Sequence, residues 1–532
     1  MKIRHLILTG ALSLLLSAPL ASLAEELVIL HSNDTHSLID PDSNGKGGVL
    51  QRKAIIDSVR KSEKNVILVD AGDMVQGTLY FKYFKGDVEY PLMNMLGYDI
   101  RILGNHEFDN GLNDLAKYYK NVKAARLSAN YDFSNTPLKG MFEPYVIKKV
   151  GGKKIGFIGI NVDPESLISK ENYEGMLYKD VIPTANATAA YLKNEKKCDL
   201  VVVLSHIGVV KDNDKPTDYD LARASKDIDI IIGGHSHTLI EPGNKGKYPS
   251  VVENANGRPV LITQTGKYGK KLGYIKIDLD ALKNITPDKF DYELIDVTDR
   301  FPADKFDNKV AAFIAPYKHK VDSVNNRVIA QSMYDLKSDD RNGGYANFAA
   351  DFARWFGQLK LDSLNGADGL PAHLDMAVMN VGGIRQNMPK GKVTEGQILA
   401  TFPFSNHIVI EAVKGADIID ALRVAARKGG EAVSENVRVV TDDDNNLIRV
   451  VIDGEEMDPE KTYNIATIDY VAAGNDDLTG FGRGKVIWRD DVEMCVPMLR
   501  YIEHLTSLGL PIAPDLTGRF QKQVKRSFKN DC

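Results

Sequence analysis

Cysteine, tryptophan and excess positive charge are scarce in this chain of 532 residues. It has three cysteines and two tryptophans, and no two cysteines have the Cys-x-x-Cys spacing of a thiolate metal site. Acidic residues outnumber basic ones by 72 to 67, which argues against broad nucleic-acid binding, since that needs a basic face. We predict that Cys198 is a buried free thiol, whereas Cys495 and Cys532 could pair in an oxidising compartment.

Long apolar segments are also missing after the first two dozen residues. Lys2 and Arg4 precede an apolar run that ends at Leu16, and Ser22-Leu23-Ala24 provides small residues for cleavage. This pattern predicts a secretory signal peptide that is removed after Ala24. No later stretch is apolar over the length needed to cross a bilayer. We therefore expect an exported protein, periplasmic or extracellular, without a membrane span.

The composition is otherwise that of an ordinary globular protein. The chain is too long for one hydrophobic core, so two large domains are expected. The first half alternates continuous apolar runs with helical stretches, a pattern typical of central strands covered by helices. A polar, helix-compatible stretch then predicts a linker, and alanine-rich helices with short strands follow it. The predicted segments are a signal peptide (1–24), a first domain (25–302), a helical linker (303–327), a second domain (328–522) and a basic tail (523–532).

Five stretches in the first half end an apolar run with residues suited to binding a metal. Carboxylate oxygens and neutral imidazole nitrogens suit divalent cations such as zinc or manganese. Loops that follow the carboxyl ends of parallel strands collect at one edge of a sheet, so these residues can meet there. The stretches are Asp34-Thr35-His36, Gly72-Asp73, Gly104-Asn105-His106-Glu107, Ser205-His206 and Gly234-His235-Ser236-His237.

The residues divide into two ligand sets that share Asp73 as a bridge between two divalent ions. Two such ions, two aspartates and a bridging hydroxide leave about one positive charge, which would attract a phosphate dianion and oppose charge building on its oxygens. The pattern predicts hydrolysis of a phosphate ester by a hydroxide held between the metals. The first set is Asp34, His36, Asp73 and His237, and the second is Asp73, Asn105, His206 and His235.

His106 follows the ligand Asn105, but we interpret it as a catalytic group. Asp109 lies three residues further on, one helical turn away, so the two side chains share a face. The carboxylate would favour the imidazolium, which can stabilise the transition state or protonate the leaving alkoxide. For Glu107, a structural role near a helix start is favoured.

In this order the motifs resemble those of the calcineurin-like metallophosphoesterases. The longer forms from His31 to His36 and from Gly104 to Asp109 are similar to those of the 5'-nucleotidase branch, which includes bacterial periplasmic nucleotidase/UDP-sugar hydrolases. The resemblance implies an α/β fold with a four-layer α/β/β/α metallophosphoesterase domain, joined by the helical linker to an α+β C-terminal substrate-binding domain. It also implies the two ligand sets given above and a catalytic pair of His106 and Asp109.

The second half contains three further segments similar to those of this family: Asn380–Arg385, Phe404–Asn406, and Tyr470–Asp476, where Asn475 replaces a usual glycine. Arg341 is a further candidate for a phosphate contact. The resemblance implies that Arg385 contacts phosphate, Asn380 lies by the base, Phe404 and Tyr470 sandwich the base, Asp476 binds the ribose hydroxyls, and Asn406 belongs to the same pocket.

The expected activity is hydrolysis of nucleoside 5'-phosphates, such as AMP, to nucleoside and phosphate. Two alternatives would use the same centre, namely a 2',3'-cyclic-nucleotide phosphodiesterase and a UDP-sugar hydrolase. An alternative of another class is a non-catalytic exported nucleotide-binding or adhesion protein with structural metals, which leaves the pair of His106 and Asp109 without a role. No nucleic-acid polymer is expected as a partner, and the oligomeric state stays open.

Overall fold

A computed structural model describes residues 25–523 except for 43, 166, 212–213, 283–289, 299–300 and 365–369. The predicted signal peptide lies outside the described residues, as does the predicted basic tail after Gln523. In chain order the first elements are β1 (Glu26–Ser32), α1 (Val49–Ser62), β2 (Val66–Asp70), α2 (Leu79–Phe84), α3 (Glu89–Leu96), β3 (Ile100–Arg101), α4 (Gly111–Tyr119), β4 (Ala125–Arg126), β5 (Tyr131–Asp132), β6 (Tyr145–Val150), β7 (Lys153–Ile160), β8 (Leu177–Tyr178), α5 (Val181–Asn194), β9 (Leu200–Ser205), α6 (Asp218–Ala224), β10 (Ile230–Ile232), β11 (Val251–Glu253), β12 (Pro259–Thr263), β13 (Lys271–Asp278) and β14 (Phe290–Asp296).

Two six-stranded sheets form the centre of the first domain, in the orders β14-β13-β1-β2-β3-β4 and β11-β12-β10-β9-β7-β6. Apolar side chains from both sheets, such as Ile29 and Val202, form one buried cluster between them. Helices α1, α3 and α4 cover the first sheet, and α5 and α6 cover the second. The predicted four-layer α/β/β/α arrangement is therefore confirmed.

The strands that precede the five motifs run parallel within their sheets, so their carboxyl ends meet at one edge. Most of the predicted apolar runs coincide with a strand to within a residue or two. The sequence predicts one of these strands over Ile100–Leu103, and the structure shortens it by two residues, because β3 ends at Arg101. The carbonyl of Leu103 instead accepts a hydrogen bond of 2.6 Å from the Asn161 side chain, so the chain leaves the sheet there.

The predicted linker contains helix α7 (Asn308–Asn325), which begins where the Asp307 side chain accepts the first free backbone N–H groups. The exact domain boundaries stay a prediction. After the linker the elements are β15 (Val328–Ser332), α8 (Gly344–Leu364), β16 (Met376–Met379), β17 (Gly391–Thr394), α9 (Glu395–Thr401), β18 (His407–Lys414), α10 (Gly415–Arg427), β19 (Ala432–Val433), β20 (Val437–Thr441), β21 (Leu447–Ile452), β22 (Glu455–Glu456), β23 (Thr462–Ile468), α11 (Asp469–Ala472), β24 (Lys485–Glu493), α12 (Cys495–Ser507) and β25 (Phe520–Lys522).

The second domain has a core of its own. A five-stranded sheet, β19-β16-β23-β18-β24, and a four-stranded sheet, β22-β21-β20-β25, share a buried cluster with α8, α10 and α12. Strand β18 begins and β23 ends at the same end of the five-stranded sheet, since Ile408 pairs with Ile468. The segments before β18 and after β23 are therefore neighbours, and they carry Phe404 and Tyr470.

The two domains also share an apolar interface. Leu399 of α9 and Cys495 of α12 belong to the same buried cluster as Phe81 of α2 and Val310 of the linker helix. Cys198 is a buried free cysteine, as predicted. Cys495 is also buried and free, and its candidate partner Cys532 lies outside the described residues. Among the described residues, no helix combines the length and the hydrophobicity needed to cross a membrane.

Candidate metal centre and adjoining cleft

The first ligand group joins the loops after β1 and β10. The Nε2 atoms of His36 and His237 are 2.9 Å apart, and Oδ1 of Asp34 lies 3.4 Å from His237 Nε2. Nδ1 of His36 lies 3.3 Å from the carbonyl oxygen of Val75. Because a carbonyl can only accept, this nitrogen carries the proton and Nε2 presents its lone pair. Asp34, His36 and His237 thus offer three ligand atoms within 4.8 Å of one another.

The second group joins the loops after β2, β9 and β10. Asp73, His206 and His235 again offer atoms within 4.8 Å of one another. Nδ1 of His206 donates to the carbonyl of Ala71 at 2.6 Å, so its Nε2 is directed at Asp73 Oδ2, 3.1 Å away. Asn105 lies beside this group, with Oδ1 3.0 Å from Nδ1 of His235.

The two groups are adjacent. The backbone N–H of His235, in the second group, donates to Asp34 of the first at 3.0 Å. All seven predicted ligands therefore come together at one edge of the sheets. Asp73 falls in the second group by distance, and its predicted role as a bridge remains a prediction.

The backbone at these ligands is strained. Positive φ costs a non-glycine residue about 1–3 kcal/mol and is found mainly where the surroundings enforce it, often at functional sites. The motif glycines leave room for the ligands, since a Cβ on Gly104 would overlap Asp73 and one on Gly234 would lie 2.8 Å from His206. Five of the seven predicted ligands have positive φ: Asp34 (48°), His36 (44°), Asp73 (55°), His235 (71°) and His237 (54°).

Glu107 ties two of the ligand loops together. Its carboxylate accepts the backbone N–H groups of Gly104 at 2.6 Å and of Asp73 and Met74 at 3.0 Å. The guanidinium of Arg101 lies 3.3 Å away, and both side chains are fully buried. Glu107 therefore positions the Asp73 loop and the Asn105 loop relative to each other without facing either ligand group.

The electrostatics of the two groups suit cations. Burial lowers the pKa of His36 and His237, and it lowers the pKa of His235 to about 3, so all three are neutral imidazoles at neutral pH. At His206 burial is outweighed by the carboxylates of Asp73 and Asp34, and the pKa rises to about 10. Among the described residues, no group lies in hydrogen-bonding geometry to the buried Nε2 of His206. Neutral imidazoles and carboxylates around a place that favours positive charge fit two divalent ions.

His106 and Asp109 share a face, as the sequence predicts. His106 begins a 3₁₀ turn, His106–Phe108, and its Nδ1 lies 3.0 Å from Asp109 Oδ2. Burial lowers the pKa of His106, but the carboxylates of Asp109 and Asp73 outweigh this effect and raise it. The ring is thus held through Nδ1, and Nε2 is the atom that can donate a proton.

A cleft of about 500 Å³ runs between the two domains, beside the ligand groups. Asp34, His36 and His206 do not line it and are fully buried behind it. The predicted site residues that line the cleft are Asp73, Asn105, His106, Asp109, His235, His237, Asn380, Arg385, Phe404, Asn406, Tyr470 and Asp476.

Arg385 and Phe404 of the second domain face His106 across this cleft. The guanidinium carbon of Arg385 is 5.8 Å from the centre of the Phe404 ring. The rings of Phe404 and His106 have their centres 5.8 Å apart. A cation suited to phosphate and an aromatic face suited to a base therefore lie next to the candidate proton donor.

Asp476 organises the other wall of the cleft. Its carboxylate accepts hydrogen bonds from the Tyr470 hydroxyl at 3.1 Å and from the Asn380 side chain at 2.7 Å. Arg341, the further candidate for a phosphate contact, instead pairs with Glu431 at 3.1 Å and does not line the cleft.

Several residues without a predicted role also line the cleft, among them Gln76, Lys85 and Arg489. Lys85 and Arg489 are isolated cations in the sequence, with no motif to mark them. Gln76 had one usable signal, its place three residues after Asp73 in the same loop. Its amide is buried and neither amide atom has a hydrogen-bond partner among the described residues.

Comparisons with known proteins agree with this arrangement. The family model for calcineurin-like phosphoesterases matches residues 27–239, which contain all seven predicted ligands. The family model for the 5'-nucleotidase C-terminal domain matches residues 323–483, which contain the cleft-lining segments of the second domain.

Individual proteins are similar over most of the chain. The trifunctional nucleotide phosphoesterase protein YfkN of Bacillus subtilis is 27% identical over 93% of this chain, which spans only 35% of the length of YfkN. A rat (Rattus norvegicus) 5'-nucleotidase is 28% identical over 81% of this chain and 76% of its own length.

A solved structure is similar over nearly the whole chain. The crystal structure of a 5'-nucleotidase precursor from Thermus thermophilus superposes with a TM-score of 0.79 at 28% identity, over 93% of this chain and 99% of the other. Together with the ligand groups and the cleft, these matches show that the chain belongs to the 5'-nucleotidase family of calcineurin-like metallophosphoesterases and is a metal-dependent phosphoesterase.

Proposed function

We propose that the protein hydrolyses nucleoside 5'-phosphates to nucleoside and inorganic phosphate. The observation that carries this proposal is a single cleft lined at one end by ligands such as Asp73 and His235, and at the other by Phe404 and Tyr470. A molecule with a phosphate at one end and a planar base at the other matches both ends. The 5'-nucleotidases among the relatives support the same assignment.

Two divalent ions, zinc or manganese, are the proposed cofactors, with Asp73 shared between them. When bound, they would lower the pKa of water from 15.7 to roughly 7 and place positive charge against the phosphoryl oxygens. The buried Nε2 of His206, directed at the Asp73 carboxylate, supports the assignment, as do the neutral imidazoles around it. The proposed ligands are Asp34, His36, Asp73 and His237 for one ion, and Asp73, Asn105, His206 and His235 for the other.

The remaining cleft residues have proposed roles in binding and proton transfer. The planar fork of Arg385 holds phosphate oxygens, and His106, oriented by Asp109, gives a proton to the leaving 5' oxygen. This acid role is supported by the 3.0 Å contact between His106 and Asp109. Phe404 and Tyr470 stack on the base, Asp476 accepts from the ribose hydroxyls, and Asn380 and Asn406 lie beside the nucleoside.

We also propose that the protein is exported and acts outside the cytoplasm. The support is the pattern of residues 1–24, in which two basic residues precede an apolar run and a small-residue cleavage site. N-terminal sequencing of protein recovered from the periplasm or the medium tests this, with Glu25 as the expected first residue.

The substrate is tested with a panel of AMP, GMP, UMP, 2',3'-cyclic AMP, UDP-glucose and p-nitrophenyl phosphate. We expect the highest kcat/KM for the 5'-monophosphates. Chelation should abolish release of phosphate, and zinc or manganese should restore it. A higher kcat/KM for the cyclic nucleotide or for UDP-glucose would assign the centre to a phosphodiesterase or a sugar-nucleotide hydrolase. Bound metal with no turnover on any substrate would indicate a non-catalytic binding protein.

A further inference from the structure

An ion pair joins the two domains beside the cleft. Nζ of Lys82, on α2, lies 2.5 Å from Oε2 of Glu493, the last residue of β24. One helical turn further along, Nζ of Lys85 donates to the Ser405 hydroxyl at 3.2 Å. Lys82 on α2 and Lys85, the residue that directly follows this helix, therefore contact two segments of the second domain.

The surroundings make this pair stronger than an ordinary surface pair. The side chain of Lys82 is only 8% exposed, and Phe81, Leu399 and Cys495 pack in the apolar interface next to it. Burial raises the pKa of Glu493, but its bonds to Lys82 and Ser405 outweigh this effect and hold the pKa below its ordinary value. Exposed pairs contribute little because water and salt screen them, whereas a partly buried pair is screened much less.

The pair is connected directly to the segment proposed to stack on the base. Glu493 pairs with His407 in the β18–β24 ladder, and the next N–H, of Met494, donates to the Asn406 carbonyl at 2.7 Å. Ser405, held by Lys85, lies between Phe404 and Asn406. The Phe404–Asn406 segment is thus fixed from the second domain by β24 and from the first domain by α2.

We propose that Lys82 and Glu493 are positioning residues that set the Phe404 ring at the distance from the metal centre that a nucleoside 5'-phosphate requires. Neither residue touches the reacting atoms. The inference rests on the proposed nucleotidase function. Loss of the pair should weaken the use of substrates that carry a base and leave a phosphate ester without a nucleoside unaffected.

The test compares AMP with p-nitrophenyl phosphate in Glu493→Gln, Lys82→Met and the double variant. We expect KM for AMP to rise about three- to tenfold in each single variant, because a partly buried pair lies between the small loss of an exposed pair and the much larger loss of a fully buried one. kcat for AMP and kcat/KM for p-nitrophenyl phosphate should stay unchanged. The double variant should resemble either single one, because the two side chains act as one unit. Lys82→Arg should restore KM for AMP.

Lys271→Met is the matched control, since it breaks a pair of 2.6 Å with Asp296 on the far edge of the first sheet and should change neither substrate. Thermal unfolding shows whether each variant is folded, and Glu493→Gln keeps the shape of the side chain if Lys82→Met is unstable. Equal losses on both substrates, or additive effects in the double variant, would overturn the positioning role. A wild-type enzyme with no preference for AMP over p-nitrophenyl phosphate would overturn the proposed function, and the inference with it.

Discussion

The two ends of the cleft are built in different ways. At the metal end, seven side chains come from five loops, five of them are buried while His235 and His237 are half-buried, the backbone is strained at five of the seven, and Glu107 links two of the loops. At the base end, Phe404 and Tyr470 lie at one end of a single sheet, and their distance from the metal end depends on contacts between domains. The first end is fixed within one domain, whereas the second depends on how two domains meet. Damage at the first should affect every substrate, and damage at the second only those with a base.

Asp73→Asn should have the largest effect. It removes a charge from the centre of the second ligand group, where Asp73 Oδ2 faces His206 and Oδ1 accepts the N–H of His106. Activity on AMP and on p-nitrophenyl phosphate should fall equally, by more than the ~100-fold typical of losing an outer-shell partner. Metal content per chain should fall as well. Asp57→Asn, on the exposed face of α1, is the control. If the Asp73→Asn variant keeps its metal and its activity, Asp73 is not part of the metal centre.

His106→Ala should come next and separate proton transfer from binding. We expect kcat for AMP to fall about 10²- to 10⁴-fold with little change in KM, since the ring acts on the leaving oxygen. The loss should be smaller for p-nitrophenyl phosphate, whose leaving group needs no proton. Asp109→Asn should show a weaker form of the same pattern, because Asp109 only orients the ring. Steady-state kinetics on both substrates measure this, and an equal loss on both would contradict the acid role.

Phe404→Ala combined with Tyr470→Ala should affect only the base end. Each stacked ring contributes about 1–3 kcal/mol per base, so kcat/KM for AMP should fall strongly while p-nitrophenyl phosphate is spared. The measurement is the ratio of kcat/KM for the two substrates. A parallel fall in both would mean that these rings only support the fold.

Glu411→Gln should have the smallest effect and should leave both ends of the cleft intact. Burial raises the pKa of Glu411 to about 8, and neither carboxylate oxygen has a hydrogen-bond partner among the described residues. The folded state binds the Glu411 proton more tightly than the unfolded chain does. The contribution of this proton to the stability of the wild type is therefore lost as pH rises from about 4.5 to about 8. The glutamine of the variant does not titrate, so the variant does not lose this contribution. The difference in Tm between Glu411→Gln and the wild type should therefore grow in favour of the variant across that pH window and level off above it. An advantage independent of pH would contradict this.

The metal end could be predicted from sequence because each ligand follows an apolar strand run. Parallel strands bring such positions to one edge whatever the loops between them do, so Asp34 and His237 could be placed together across some 200 residues. The base end lacks such a rule, because Phe404 and Tyr470 look like core residues without the family resemblance. Contacts between domains, such as Lys82 with Glu493, depend on the relative placement of two bodies, which no local pattern encodes. The predicted strand Ile100–Leu103 is present but shorter, since β3 ends at Arg101 and the Leu103 carbonyl accepts a hydrogen bond from Asn161, a side chain of a distant loop.

The buried carboxylate of Glu107 has a consequence for interpreting inactive variants. This carboxylate holds the Asp73 and Asn105 loops in place through their backbone N–H groups. Glu107→Gln should therefore weaken metal binding as the loss of a ligand would, although Glu107 itself binds no ion. Such an enzyme would fold, bind its cations weakly and regain activity when they are supplied in excess. A screen that measures activity alone would therefore group Glu107 with the metal ligands. A metal titration would distinguish this residue, which positions the ligand loops, from the residues that bind the ions.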